Sequence, residues 1–442
     1  MGILRRVATA LKQLFGPLAQ QAAQATGVIV RQRKFTPTAL AQTFVLGFLQ
    51  KPNASDEELA QVAAQSGAAV TPQAIDQRQT PKLVAFLEDL FRRAVRVVVG
   101  SDRLLAAILQ RFTDVTLLDS TVIGLPDSQH PRFPSCGGRG ACGRAALKLQ
   151  TELDLRSGAI RHVELESGRN ADSATARQHT GRAKGSLRIT DLGYFCTAVF
   201  AALVREGAHF LSRLQFGTGL RRPDGTALDV LNWLGQQSGP CVDRAMLLGL
   251  KERLACRVIA WRLPEEQRNR RRQRVRDDFQ RKCGREPSAE RLAWCDWTIL
   301  VTSVPMEMLS VPEAAVLYRA RWQVELLFKR WKSRGRIAEL EGSSDVRQLV
   351  RVWGRLLAVL VEHWLMVGSA WGDARLSAGK VCAARRGLVS RVVAAMTTSE
   401  ELERVLADLS EIVARTCRRN RRKKLGTFEL LNDPSRLDFR LT

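Results

Sequence analysis

Between Val115 and Arg205 the chain carries apolar, β-branched runs cut by turns, in an order that few folds accommodate. Val115-Thr116-Leu117-Leu118 leads into Asp119, and Ala146 to Leu155 alternates with the period of two that a strand requires. Ser157-Gly158 then turns the chain into Ala159 to Leu165, which completes a three-stranded meander. A helical segment around Ser173 to Arg182 precedes the strand Ser186-Leu187-Arg188-Ile189-Thr190, and Tyr194 to Arg205 reads as a helix. The order strand, strand, strand, helix, strand, helix describes an α/β fold: a mixed sheet covered by helices. It puts Asp119 within or at the end of the first strand and Asp191 at the end of the fourth.

The flanks have a different texture. The first hundred residues contain no strand-like runs and read as helices. Ser55-Asp56-Glu57-Glu58 is a capping box opening Leu59 to Ala64, and Thr71-Pro72 caps a second short helix through Arg78. That spacing suits a helix-turn-helix DNA reader and equally an ordinary packed pair. From His209 to Pro305 further strands are expected at Phe210 to Leu214, Arg257 to Arg262 and Trp297 to Thr302. They form a β-rich piece interrupted by the run from Arg268 to Arg276, which is too basic to be core. Long helices are expected over Val311 to Trp331, Val346 to Met366 and Ser399 to Val413, the last followed by the basic tail Arg418 to Lys424.

Charge narrows the partners. Sixty-nine Lys and Arg against 44 Asp and Glu leave the 442-residue chain at +25, which points to a polyanion, nucleic acid before membrane. With 45% hydrophobic residues and only 15 prolines, collagen-like, low-complexity and disordered classes are excluded. Nine cysteines without a C-x-x-C pair, and five histidines without H-x-x-x-H, support neither a disulfide framework nor a zinc centre. Any metal is therefore expected on oxygen ligands. Glu362 and His363 interrupt the most apolar late stretch, so no membrane association is expected and a cytoplasmic location is. The N-terminus shows no long apolar leader, and Arg6 stands where a myristoylation start needs Ser or Thr.

On the first of the long helices, Tyr318, Arg321, Glu325, Lys329 and Lys332 share a face about 80° wide. Alone, this is what a solvated charge ladder looks like. Combined with Asp119 and Asp191 at the ends of core strands, the glutamate completes a hard-oxygen set suited to two Mg²⁺ ions, with cations beside it for phosphate oxygens.

Tyr318-x2-Arg321-x3-Glu325-x6-Lys332 resembles the "YREK" signature of DDE transposases of the insertion-sequence-four type, the group that contains the transposon Tn-five enzyme. Asp119 in Leu117-Leu118-Asp119-Ser120-Thr121 and Asp191 in Thr190-Asp191-Leu192-Gly193 look like the first two catalytic positions, spaced by 72 residues, with Glu325 a further 134 on. The resemblance covers roughly Val115 to Gly372. It implies a ribonuclease H-like core (106–208 and 306–372) split by a β-rich insertion (209–305), with a helical DNA-binding region at 1–105 and a helical C-terminal region at 373–442.

It further implies that Asp119, Asp191 and Glu325 hold two Mg²⁺ ions, replaceable by Mn²⁺. Tyr318, Arg321 and Lys332 would then position phosphates, Trp297 would stack a flipped base, and Arg213 would approach the DNA backbone. The activity so implied is that of a bacterial, nucleoid-associated cut-and-paste transposase, working as a homodimer on double-stranded DNA ends and target. Second-strand cleavage through a hairpin belongs to the same picture. Two alternatives stand beside it: a metal-dependent, structure-specific nuclease, and a non-catalytic helix-turn-helix binder.

Overall fold

The computed structural model describes residues 2–30, 34–102, 106–136, 143–387, 389–420 and 424–439. Cys142 and the tail residues 421–423 lie outside them. The chain forms two compact units, one of residues 1–104, 120–170 and 323–424, the other of residues 105–119, 171–322 and 425–442.

Ten strands make a mixed sheet: β1 (Val115–Leu125), β2 (Ala145–Asp154), β3 (Ile160–Ser167), β4 (Leu187–Thr190), β5 (His209–Arg213), β6 (Leu220–Arg221), β7 (Ala227–Leu228), β8 (Cys241–Leu248), β9 (Leu254–Arg262) and β10 (Trp297–Thr302). In the second unit the hydrogen-bonded order is β1-β4-β5-β10-β9-β8-β6-β7. Here β1, β4 and β5 are parallel, whereas β10 and β9 run antiparallel to their neighbours. The stretch expected as an insertion (209–305) is thus continuous with the parallel strands: its first strand, β5, pairs in parallel with β4 and in turn carries β10. Its core gathers Val199, Phe200, Phe210, Val258, Ile299 and Val301, with the rings of Phe200 and Phe210 stacked at 4.3 Å.

The expected helix at Ser173 to Arg182 is instead two short 3-10 turns, Asp172–Ala174 and Ala176–His179. The Gln178 carbonyl, which a helix would use internally, accepts from the buried guanidinium of Arg188 at 2.6 Å. A second difference is that the single helix expected over Val311 to Trp331 is two, Val311–Ala320 and Trp322–Ser333. Arg321 closes the first, its N–H reaching back three residues to the Tyr318 carbonyl in a tightened last turn.

The first unit is a helical bundle on β3-β2-β1. Its axis is the helix Asp345–Ala370, buried on nearly every side from Leu349 to Val367 and packed on Pro37–Gln50, Pro81–Ala94, Ser399–Thr416 and Ile3–Gln13. Ser55 and Glu58 form the expected capping box, at 2.9 and 3.3 Å, ahead of the packed pair Asp56–Gln65 and Pro72–Arg78. Strand β2 departs from the expected alternation and is buried along its whole length. Most of its polar members are satisfied internally, Thr151 Oγ1 being the exception. Asp154, for example, accepts from Arg161 at 2.6 Å, Ser157 at 2.7 Å and the Arg156 N–H at 3.0 Å. No helix among the described residues is long and apolar enough to cross a membrane.

Candidate active site

The pairing register explains why two aspartates 72 residues apart belong together. β1 and β4 pair in parallel with Val115 opposite Leu187 and Leu117 opposite Ile189, an offset of 72. Extending both chains by two residues puts Asp119 level with Asp191, on the same face as the paired residues, about 4.8 Å away across the strands. β4 and β5 pair with Leu187 opposite His209 and Thr190 opposite Ser212, so the same extension puts Arg213 level with Asp191. Asp119, within β1, Asp191, just past β4, and Arg213, the last residue of β5, therefore form a row level with the C-terminal ends of β4 and β5, the side on which α/β sheets bind ligands.

Each member of the row is held differently. Asp119 is largely buried, with 14% of its side chain exposed, and Arg321 Nη1 donates to its Oδ2 at 3.3 Å. Asp191 continues β4 in extended conformation (φ −90°, ψ −173°), and its Oδ1 accepts the Gly193 N–H at 2.9 Å, which starts the turn Leu192–Tyr194. That turn is local, so an amide oxygen in place of the carboxylate would keep it. Arg213 is half-buried, and its Nε is buried without a hydrogen-bond partner.

Tyr318 stands over this row. The Arg321 guanidinium lies 5.9 Å from its ring centre. Burial raises the phenol above its ordinary range; Arg321 and Arg213 oppose the shift and Asp191 adds to it. The tyrosine is consequently a neutral hydrogen-bond donor at physiological pH.

Trp297 opens β10, half-buried against the Phe200 and Phe210 cluster. Its indole thus packs the sheet, whatever further use its exposed edge has. The basic run forms the helix Glu265–Cys283, in which no residue is fully buried. One member of that helix, Arg271, was not singled out by sequence. Its Nη1 and Nη2 donate to the Trp297 carbonyl and Thr298 Oγ1, both at 3.2 Å, and Arg213 and Tyr318 are within its electrostatic reach. The available signal was the period of the inner positions 268, 271, 272, 275 and 279 within the run.

Glu325 and Lys332 lie on the helix Trp322–Ser333, both partly exposed, and are part of the first unit. The second unit by itself gathers Asp119, Asp191, Arg213, Tyr318 and Arg321. Among the described residues no three His, Cys, Asp or Glu side chains are grouped so as to hold a metal ion.

Residues 110–361 match the family described as the transposase DDE domain. Over 368 residues the chain is 26% identical to the transposase for insertion sequence element IS231B of Bacillus thuringiensis subsp. berliner, covering 77% of this chain and 75% of that protein. It is 24% identical over 317 residues to the transposase for IS1151 of Clostridium perfringens, covering 67% and 66%. The putative transposase InsL for IS186A of Escherichia coli K12 is 27% identical over 255 residues, 55% of this chain and 64% of that one. With more than half of its length matched and parallel strands carrying two level aspartates at its centre, the chain belongs to the DDE transposase family, whose fold is ribonuclease H-like.

Proposed function

We propose that this protein is the transposase of a bacterial insertion sequence of the insertion-sequence-four type. As a homodimer it binds the terminal inverted repeats, cleaves the ends with water, and joins the freed 3′-hydroxyl to target DNA. The observation that carries this reading is the row Asp119, Asp191, Arg213 across β1 and the C-terminal ends of β4 and β5, with Arg321 against Asp119. The charge of +25 supplies affinity for DNA.

Transposases of this family generally depend on a divalent metal. The donors fit one: two carboxylates level on adjacent strands are hard oxygen ligands of the kind Mg²⁺ and Mn²⁺ take. We assign Asp119 and Asp191 to the metal site with Glu325 as the third carboxylate. Glu325 follows Arg321 by four residues in sequence, and Arg321 touches Asp119. Two bound ions supply Lewis acidity for an attacking water or hydroxyl and for the leaving oxygen.

The chain's own residues do the rest. Arg321 offsets the charge of Asp119 and, with Lys332, presents cations to non-bridging phosphate oxygens. Tyr318, whose phenol titrates well above physiological pH because of burial, donates a hydrogen bond to a phosphate oxygen. Trp297 stacks a base extruded when the second strand is cut through a hairpin.

Strand transfer tests the reading. Pre-cleaved duplex ends, taken from the repeats flanking the coding sequence, are incubated with the protein, Mg²⁺ and supercoiled plasmid. The expected product is plasmid with duplex ends joined through their 3′-hydroxyls. Nicked plasmid with no joined ends would instead identify a nuclease.

A further inference from the structure

The basic helix Glu265–Cys283 turns an inner row toward the sheet, in which Arg268, Arg271 and Arg272 are half-buried while Arg270, Arg274 and Arg276 are exposed. Two of the inner arginines share one counter-charge. Arg272 Nη2 lies 2.7 Å and Arg268 Nη1 3.6 Å from Asp296 Oδ2. Arg271 has no such partner: its two hydrogen bonds go to uncharged oxygens of Trp297 and Thr298, and among the described residues it makes no ion pair. Arg213 also makes none among the described residues, and its Nε is a buried donor without an acceptor. Leu300 pairs with Arg213 across β5 and β10, and Thr298, which holds Arg271, lies two residues before it on the same face, so the two guanidinium charges repel each other. Burial first, and then the Arg213 charge, push Arg271 down to about 10, so it stays cationic at neutral pH. Two neighbouring cations, half out of water and with no ion pair to either among the described residues, cost free energy that a bound anion would return.

We propose that Arg271 and Arg213 together grip one DNA backbone phosphate beside the scissile one, which makes Arg271 a positioning residue supplied by the basic helix. The proposal rests on the transposase reading above and adds to it a second phosphate subsite. Guanidinium groups suit the task because their planar forks match the spacing of two non-bridging oxygens. Arg213 is level with Asp191 and one strand further from Asp119, so the gripped phosphate lies on the β10 side of the aspartates.

The experiment compares the full-length wild type with Arg271→Gln and Arg271→Lys. Glutamine keeps an amide donor for the Trp297 and Thr298 oxygens and loses the charge; lysine keeps the charge and loses the fork. Binding is measured to a duplex carrying the terminal repeat, across a salt series and with single methylphosphonates placed in turn along the strand. For the wild type, neutralising one particular phosphate weakens binding. For Arg271→Gln that position becomes silent, the other positions keep their effects, and the slope of log affinity on log salt falls by about 1. Arg271→Lys retains the salt slope, with weaker discrimination at the same phosphate.

An Arg271→Gln protein with the wild-type methylphosphonate map and slope would overturn the proposal and leave Arg271 as a strut for β10. If Arg271→Gln fails to fold, the lysine variant decides alone, and a wild-type map there likewise overturns it. A wild type that does not bind the terminal duplex at all would overturn the transposase reading itself, and this proposal with it.

Discussion

Asp119→Asn, Asp191→Asn and Glu325→Gln are each expected to lower metal-dependent cleavage of element ends by about a hundredfold to a thousandfold or more, the range for losing one group that stabilises charge in a transition state. End binding in chelator should stay within a few-fold, because affinity comes from cations spread over the surface and none of these residues supplies one. The three should separate in stability. The Asp191→Asn variant would keep an acceptor for the Gly193 N–H and melt close to wild type, whereas Asp119→Asn would remove the carboxylate charge from beside the largely buried Arg321 and melt lower. Single-turnover cleavage and thermal melts of the same preparations check both statements. A variant that cleaves at the wild-type rate would remove its residue from the site.

The largest loss of stability should come from Arg355, far along the chain from any of these. Its side chain is completely buried in the helix Asp345–Ala370. Its donors hold the Pro52 carbonyl at 2.6 Å, the Arg336 and Glu339 carbonyls at 3.0 and 2.8 Å, and Glu341 Oε2 at 2.6 Å. One guanidinium thus closes the segment after Trp322–Ser333 and ties it to the turn after Pro37–Gln50. Arg355→Met fills much of the volume and satisfies none of those acceptors, so it should cost about 3–5 kcal/mol, the usual penalty for removing one side of a buried charged network. Lysine cannot reach the acceptors as a planar fork does and should recover little. Denaturant melts give the loss, and hydrogen exchange should show residues 334–345 opening first. Near-wild-type stability of Arg355→Met would mean that the network contributes nothing net.

The most legible parts of the chain were those written in local chemistry. Ser55 and Glu58 announce a helix start because each needs only the other's backbone N–H. The order of apolar runs between Val115 and Thr190 anticipates β1 to β4 because parallel pairing is set by which residues must be buried. The spacing of Asp119 and Asp191 was visible as a number, and the register gives it a meaning that sequence could not: both sit at one level of adjacent strands.

What was misread depends on distant partners. The helix expected near Ser173 fails because Arg188 takes a carbonyl from it, and the alternation seen in β2 hides a strand covered on both sides. The break at Arg321 has no proline or glycine to mark it. Arg271 was hidden in a run whose composition reads as solvated; only its position on the inner face, over Trp297 and Thr298, sets it apart.

The claim on which everything else depends is that Asp119, Asp191 and Glu325 serve one metal site. Iron(II) in place of Mg²⁺, with ascorbate and peroxide, releases hydroxyl radicals that cut the polypeptide backbone beside the bound ion. Cuts are expected near residues 119, 191 and 325 together, all suppressed by excess Mg²⁺ and all lost in Asp191→Asn. Cuts near 119 and 191 with none near 325, or a pattern unchanged by Asp191→Asn, would contradict it.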